Sequence, residues 1–239
     1  MIIALFLIRF FDIIFSSLAI VIMFPFMLPI MLTLKLTGEH DIFYRQKRVG
    51  KYGKEFSLIK FATMLRDSSN MPGGYCTLKD DPRLLPMGGF LRKTKINELP
   101  QLINIIRGQM SIVGYRPLLR CHYDHYSNKT KQALHNIRPG LSSIGSIIFR
   151  DEEKILQSIA DIENRVHFYN NVIMPFKGEL ECWFVDRYNI LNYFKIIIFT
   201  FVCVVNPNTN ISKKMFSDLP EPPIELTSFY VNRKGANDN

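Results

Sequence analysis

Four arginines, Arg83, Arg92, Arg116 and Arg150, each sit beside turn residues or at the edge of an apolar run. The planar guanidinium fork matches phosphate oxygens two at a time. Asp80, Asp81 and Glu98 offer the hard carboxylate oxygens that Mg²⁺ takes, an ion that needs one or two from protein and draws the rest from substrate phosphates and water. Together these residue types suit a phosphorylated substrate handled with a metal ion. Taken singly, each arginine also fits a solvated surface position, and Asp80-Asp81-Pro82 also fits a plain turn. Other chemistries lack their motifs: the chain has no GxxxxGK[ST] loop, no GxSxG elbow, no Gly-x-Gly-x-x-Gly run after a strand and no HExxH. His40, His122, His125, His135 and His167 read as surface or core residues.

The elements that must carry these residues are short. Ile42-Phe43-Tyr44 and Phe56-Ser57-Leu58-Ile59 predict extended pieces joined by a loop containing Gly50 and Gly53. Lys79 to Arg83 predicts a turn, and Met87-Gly88-Gly89-Phe90-Leu91-Arg92 a close packing or tight bend at its glycines. Asn97 is placed as a helix N-cap, followed by Glu98, Leu99 and Pro100 in the first turn. Leu102, Ile103, Ile105 and Ile106 form the helix face, which Gly108 ends.

Composition confines the setting. The 239 residues are 47% hydrophobic and carry 30 Lys and Arg against 21 Asp and Glu, a formal charge of +9, which favours anionic partners. Cys76, Cys121, Cys182 and Cys203 have neither CxxC nor zinc-finger spacing, so a disulfide framework and a structural zinc are not expected. The apolar excess is concentrated in Met1 to Leu34, whose ionisable side chains are Arg9 and Asp12, and this run exceeds the roughly 20 residues of a spanning helix. Phe24-Pro25-Phe26 and Leu28-Pro29 interrupt it, unlike a cleaved leader. Lys35, Arg45, Lys47, Arg48, Lys51, Lys54 and Lys60 follow, against Glu39, Asp41 and Glu55, which places the body of the protein on the cytoplasmic side. A helix bent at Pro25 and a plain kinked span fit the periodicity equally. Ile190 to Val205 predicts an interfacial or core helix, and Ser212 to Asn239 a loosely attached arm. A nucleic-acid partner is not expected, because many of the basic residues flank the membrane segment rather than interleave with aromatics.

Six blocks then occur in order: Ile42 to Gly50 (IFYRQKRVG), Phe56 to Met64 (FSLIKFATM), Asp81-Pro82-Arg83, Asn97 to Asn104 (NELPQLIN), Gly108 to Pro117 (GQMSIVGYRP) and Arg138-Pro139-Gly140. This series closely resembles the bacterial sugar transferases that initiate surface glycans, the monotopic polyprenyl-phosphate phosphoglycosyl transferases, from about Arg9 to about Pro207. The resemblance implies an α+β protein: a re-entrant membrane helix-break-helix (1–36), a small, mainly helical cytoplasmic catalytic domain with a few short strands and interfacial helices (37–207), and a C-terminal arm (208–239). It implies Mg²⁺-dependent transfer of a sugar 1-phosphate from a UDP-sugar to undecaprenyl phosphate at the bacterial inner membrane, releasing UMP.

The family's re-entrant helix breaks at a Ser-Pro pair; here Pro25 stands at the break with Phe24 in the serine's place. Its nucleophilic Asp and Mg²⁺-binding Glu correspond to Asn97 and Glu98, making these the catalytic candidates and Glu98 the metal ligand. Arg92, Arg116, Arg150 and Lys60 are the implied phosphate and nucleotide contacts. Further departures are Ala62 where the family has Lys or Arg, Tyr115 where it has Pro, and Leu141 to Gly145 where it has Ile-Thr-Gly-Trp. A carboxamide is a far poorer nucleophile than a carboxylate. Three readings follow: an active transferase in which Glu98 or the lipid phosphate attacks, an impaired homologue that partners a related transferase as a homo- or hetero-oligomer, or a shared architecture that binds an anionic lipid.

Overall fold

The computed structural model describes residues 2–68, 70–71, 81–150, 152–159, 161–206 and 215–227. Lys79, Asp80, Cys76 and most of the expected C-terminal arm lie outside the described residues. The chain mixes helix and strand and divides into two compact units. A hairpin unit comprises Phe10–Arg48 and Phe56–Met110; a helix-rich unit comprises Met1–Arg9, Val49–Glu55 and Ser111–Asn239.

The N-terminal helix α1 (Ile2–Leu36) is long and apolar enough to cross a membrane. Ile3, Phe6, Val21, Phe26 and Leu36 are all more than 60% exposed, a surface stable only against lipid or another apolar partner. Pro25 and Pro29, the two positions at which the sequence allows a bend, both lie within α1. Each proline removes one N–H bond without ending the turns on either side, and the Thr33 hydroxyl donates to the Pro29 carbonyl at 2.9 Å.

In the hairpin unit, β1 (Phe43–Val49) and β2 (Glu55–Phe61) pair. Their short connection excludes a parallel crossover and makes the pair antiparallel. The chain then returns along β2's end: Leu85 N–H donates to Thr63 O at 3.0 Å and Leu65 N–H to Arg83 O at 2.9 Å. Of the close packing or tight bend expected from Met87 to Arg92, close packing is found, within helix α2 (Gly88–Lys93). A Cβ on Gly88 would lie 2.1 Å from the Thr63 carbonyl oxygen, so the glycine serves close packing within a helix. Leu91 of α2 and Phe61 of β2 pack with Met27 and Leu34 of α1.

Helix α3 (Gln101–Ile106) starts later than the sequence implies, with Pro100 at its N-cap. Asn97 is therefore not a cap. It belongs to a 3-10 turn, Ile96–Glu98, entered through Lys95 in the left-handed region (φ 61). Gly108 (φ 77) ends α3 as expected.

Asn104, fully buried on α3, ties the helix to β2. Its Oδ1 accepts the Ile59 N–H at 3.0 Å, while Nδ2 donates to Ser57 O and Gln109 Oε1, both at 2.8 Å.

The helix-rich unit contains β3 (Ser111–Val113) and β4 (Gly140–Ser142), which pair in parallel with Ser111 opposite Gly140 and Val113 opposite Ser142. Helices α4 (Arg120–Tyr123), α5 (Asn128–Leu134), α6 (Ile144–Ile148), α7 (Glu152–Gln157), α8 (Ile162–Phe168), α9 (Met174–Asp186) and α10 (Ile190–Val205) complete it. A π-helical turn joins α8 to α9 just before Pro175, whose missing N–H disturbs the regular ladder. Helix α10 has a core face of Tyr193, Ile196 and Phe199 and an exposed apolar face of Leu191, Ile198, Phe201 and Val205. The described part of the C-terminal segment is anchored rather than loose. Phe216 stacks edge-on against Trp183 and Phe199, Arg187 Nε donates to Asp218 at 2.6 Å, and Leu226 is buried.

Asn104→Ala should cost about 2–4 kcal/mol, because it leaves a strand N–H and C=O buried without partners. Thermal unfolding of the purified protein in detergent measures this; an unchanged midpoint would remove Asn104 as the tie between β2 and α3.

Candidate active site

In the hairpin unit the Asn104 tie sets Lys60, the residue after Ile59, against Glu98 in the turn leading to α3. Lys60 Nζ lies 3.1 Å from Glu98 Oε1, with the two side chains 20% and 18% exposed. Such a pair is accessible to a small anion yet shielded enough for its charges to be felt. Asn97 is buried beside it, and its Oδ1 has no hydrogen-bond partner. Leu99 and Ile96 bracket the dyad and pack on the Met27, Leu34, Phe61 and Leu91 core, which fixes the turn from beneath. Arg92, on α2, places Nη1 3.8 Å from Met64 Sδ.

Arg83 is not available to a substrate. It is 1% exposed, and its Nε and Nη2 donate to Asp81 Oδ1 and Oδ2 at 2.8 and 2.6 Å, while Nη1 donates to Ser68 O at 2.9 Å. The same fork occupies both Asp81 oxygens, so the Asp81 carboxylate is committed to a structural pair rather than to a metal. Among the described residues no three His, Cys, Asp or Glu side chains converge on a metal position. Their chemistry is nevertheless of the kind Mg²⁺ takes: Glu98 supplies one hard carboxylate, and Asn97 Oδ1, on the preceding residue, is an amide oxygen without a hydrogen-bond partner.

Arg116 and Arg150 belong to the helix-rich unit. The exposed Arg116 directs Nη1 to Ser146 Oγ at 3.2 Å, and Arg150, half-buried, follows the C-terminal end of α6. Beneath them is a polar cluster that the sequence reading missed. Lys177 and Glu181 of α9 are buried among Phe176, Leu180 and Phe184. Lys177 Nζ meets Glu152 Oε2 of α7 at 2.6 Å and lies over the rings of Phe149 and Tyr169. A Lys and a Glu four residues apart within an apolar helix were the available signal.

Burial pushes the Glu181 carboxyl from its ordinary 4.5 up to about 8, against the opposing pull of the Arg116 N–H, Lys177 and Ser143. The native protein keeps this proton where the unfolded chain releases it. The residue's contribution to stability is thus full below pH 4.5 and is lost as the pH rises toward 8. Melting temperatures of the wild type and of Glu181→Gln across that window provide the check: the wild type should decline more steeply, and parallel curves would contradict a protonated Glu181.

The family described as Bacterial sugar transferase matches residues 3–207. The exopolysaccharide production protein ExoY of Sinorhizobium fredii is 34% identical over 166 residues, covering 64% of this chain and 73% of that protein. The UDP-glucose:undecaprenyl-phosphate glucose-1-phosphate transferase of Escherichia coli is 32% identical over 187 residues, covering 77% of this chain and 39% of that protein. The undecaprenyl-phosphate galactose phosphotransferase of Salmonella typhimurium is 30% identical over 209 residues, 82% of this chain and 40% of that protein. The chain thus spans about two fifths of these last two relatives and most of the first. With the match running through both units, from α1 to the end of α10, this chain belongs to the bacterial sugar transferase family.

Proposed function

We propose that this chain transfers a sugar 1-phosphate from a UDP-sugar to a polyprenyl phosphate such as undecaprenyl phosphate, as the initiating step of surface polysaccharide assembly. The activities for which the Escherichia coli and Salmonella relatives are named support the reaction class. The observation that carries it is the half-shielded Lys60–Glu98 pair beside the buried Asn97. In the reaction, an oxygen of the lipid phosphate bonds to the sugar-bearing phosphorus, and the bond from that phosphorus to the UMP oxygen breaks. One phosphoanhydride replaces another, with no oxidation and no water consumed.

Asn97 is a carboxamide and Glu98 is engaged with Lys60, so direct attack by the lipid phosphate is the preferred route. Glu98 and the Asn97 amide oxygen would hold Mg²⁺, which when bound offsets the charge of the diphosphate. Lys60 steadies the Glu98 carboxylate and adds positive charge where phosphate oxygens gather, and Arg92 contributes a second cation on the same unit. The carboxamide at position 97 also favours a second reading, an impaired homologue that serves as partner to a related transferase.

Release of UMP from UDP-sugars in the presence of undecaprenyl phosphate and Mg²⁺ separates the two. The wild type should turn over, a chelator should abolish the signal, and Glu98→Ala should lower the rate on the order of 10²-fold or more, the scale for a lost preorganised charge. A silent wild type that gains turnover on Asn97→Asp would establish the impaired homologue instead.

For the membrane arrangement, we propose that α1 bends at Pro25 and Pro29 and returns both ends to the cytoplasmic face of the inner membrane. A 35-residue helix is about 52 Å long against a hydrocarbon core of roughly 30 Å. Arg9 near one end and Lys35 at the other supply charges suited to one headgroup level. Cysteines introduced at Ile2 and Thr33 should both react only with a cytoplasmic reagent; periplasmic labelling at Ile2 would mean a true span.

A further inference from the structure

We propose that Glu181 is the positioning residue that seats Arg116 and the Ser143–Ser146 turn for donor-phosphate binding. The inference rests on the proposed reaction, in which Arg116 contacts a phosphate of the UDP-sugar.

Arg116 lies between two polar contacts within the helix-rich unit, one at its backbone and one at its guanidinium. Glu181 Oε1 accepts the Arg116 backbone N–H at 3.4 Å. The Arg116 guanidinium donates to Ser146 Oγ at 3.2 Å, and Ser143 Oγ donates to the same oxygen at 2.8 Å. Ser143 also caps α6 by accepting the Ser146 N–H at 2.9 Å. Arg116 is thereby held at its backbone and at its tip while the side chain remains exposed.

The fit against Glu181 is close. A Cβ on Gly145 would lie 2.9 Å from Glu181 Oε1, so the first turn of α6 packs against the carboxyl and a larger residue there would displace it. Glu181 itself is 1% exposed, and its Oε2 has no hydrogen-bond partner. A buried carboxyl of this kind is too costly to serve packing alone.

Its protonation suits the task. Lys177 from α9, the Arg116 charge and the Ser143 hydroxyl all face Glu181, yet burial dominates and the carboxyl stays largely neutral at pH 7. A neutral carboxyl seats the Arg116 backbone without cancelling the guanidinium charge that a phosphate requires.

Equilibrium titration of the purified full chain with UDP-glucose tests the assignment, and donor KM against kcat supplies a second readout. Arg116→Ala and Glu181→Leu should each weaken donor binding about tenfold, read as a higher dissociation constant and a higher donor KM with no matching rise in the acceptor KM. Glu181→Gln keeps the acceptor oxygen and should bind within about twofold of wild type. Gly145→Ala, which presses on the carboxyl from the other side, should reproduce the loss even if Glu181→Leu does not fold. In an Arg116→Ala background, Glu181→Leu should add no further weakening.

Full additivity of the two changes, or unchanged donor binding in both Gly145→Ala and folded Glu181→Leu, would overturn the assignment. Unchanged donor binding in Arg116→Ala would overturn the phosphate-contact reading first, and the role of Glu181 with it. Because binding is read without turnover, the assignment stands or falls even if UMP release is absent.

Discussion

The geometry of the proposed transfer site depends on one buried amide. Asn104 reads β2 from the side of α3, accepting from Ile59 and donating to Ser57. A strand presents alternate residues to opposite faces, so a slip of one position would carry Lys60 away from Glu98. The hydrophobic contacts of Phe61 and Leu91 with Met27 and Leu34 bring the parts together but are not directional, whereas the Asn104 bonds fix the register.

The hairpin unit thereby joins membrane and chemistry in a short stretch of structure. The same α1 helix that leaves Phe26 and Leu32 exposed places Met27 and Leu34 under the turn that bears Asn97 and Glu98. A lipid phosphate held at the headgroup level would not have to travel far from the helix that anchors the protein. In the helix-rich unit an equivalent economy operates through Glu181, whose single buried carboxyl touches the backbone of Arg116 and the turn that caps α6. Both units spend a buried polar side chain to hold a cation in place, at the desolvation cost such groups always carry.

Much of this was legible in the sequence where local chemistry decides the outcome. Short apolar runs and the Gly50 and Gly53 signals marked the start of β1 and most of β2; Gly108 marked the end of α3; and the apolar run at Ile190 to Val205 marked α10. The pairing of Lys60 with Glu98 was not read from the sequence, where the family resemblance implied the two residues only singly. What escaped detection depends on partners distant in the chain. Gly88-Gly89 read as close packing or a tight bend; the Thr63 carbonyl over Gly88 decides for close packing, and the helix around it went unread. Arg83 looked like a phosphate ligand until its burial against Asp81 gave it a structural task. Asn97 looked like a cap because Asn caps helices well, but Lys95 takes the left-handed conformation and winds the chain into a 3-10 turn first. The charges of Lys177 and Glu181 resemble surface charges until tertiary packing encloses them.

The central claim is that the lipid phosphate attacks directly at a site organised by Lys60, Glu98 and Asn97, with no sugar phosphate held on the protein. Rapid-mixing measurement of UMP release with the UDP-sugar and Mg²⁺ alone, followed by addition of polyprenyl phosphate, tests this most directly. The account predicts no release before the acceptor is added and steady release afterwards. A burst of about one equivalent of UMP from the donor alone would reveal a covalent phosphosugar intermediate and contradict it.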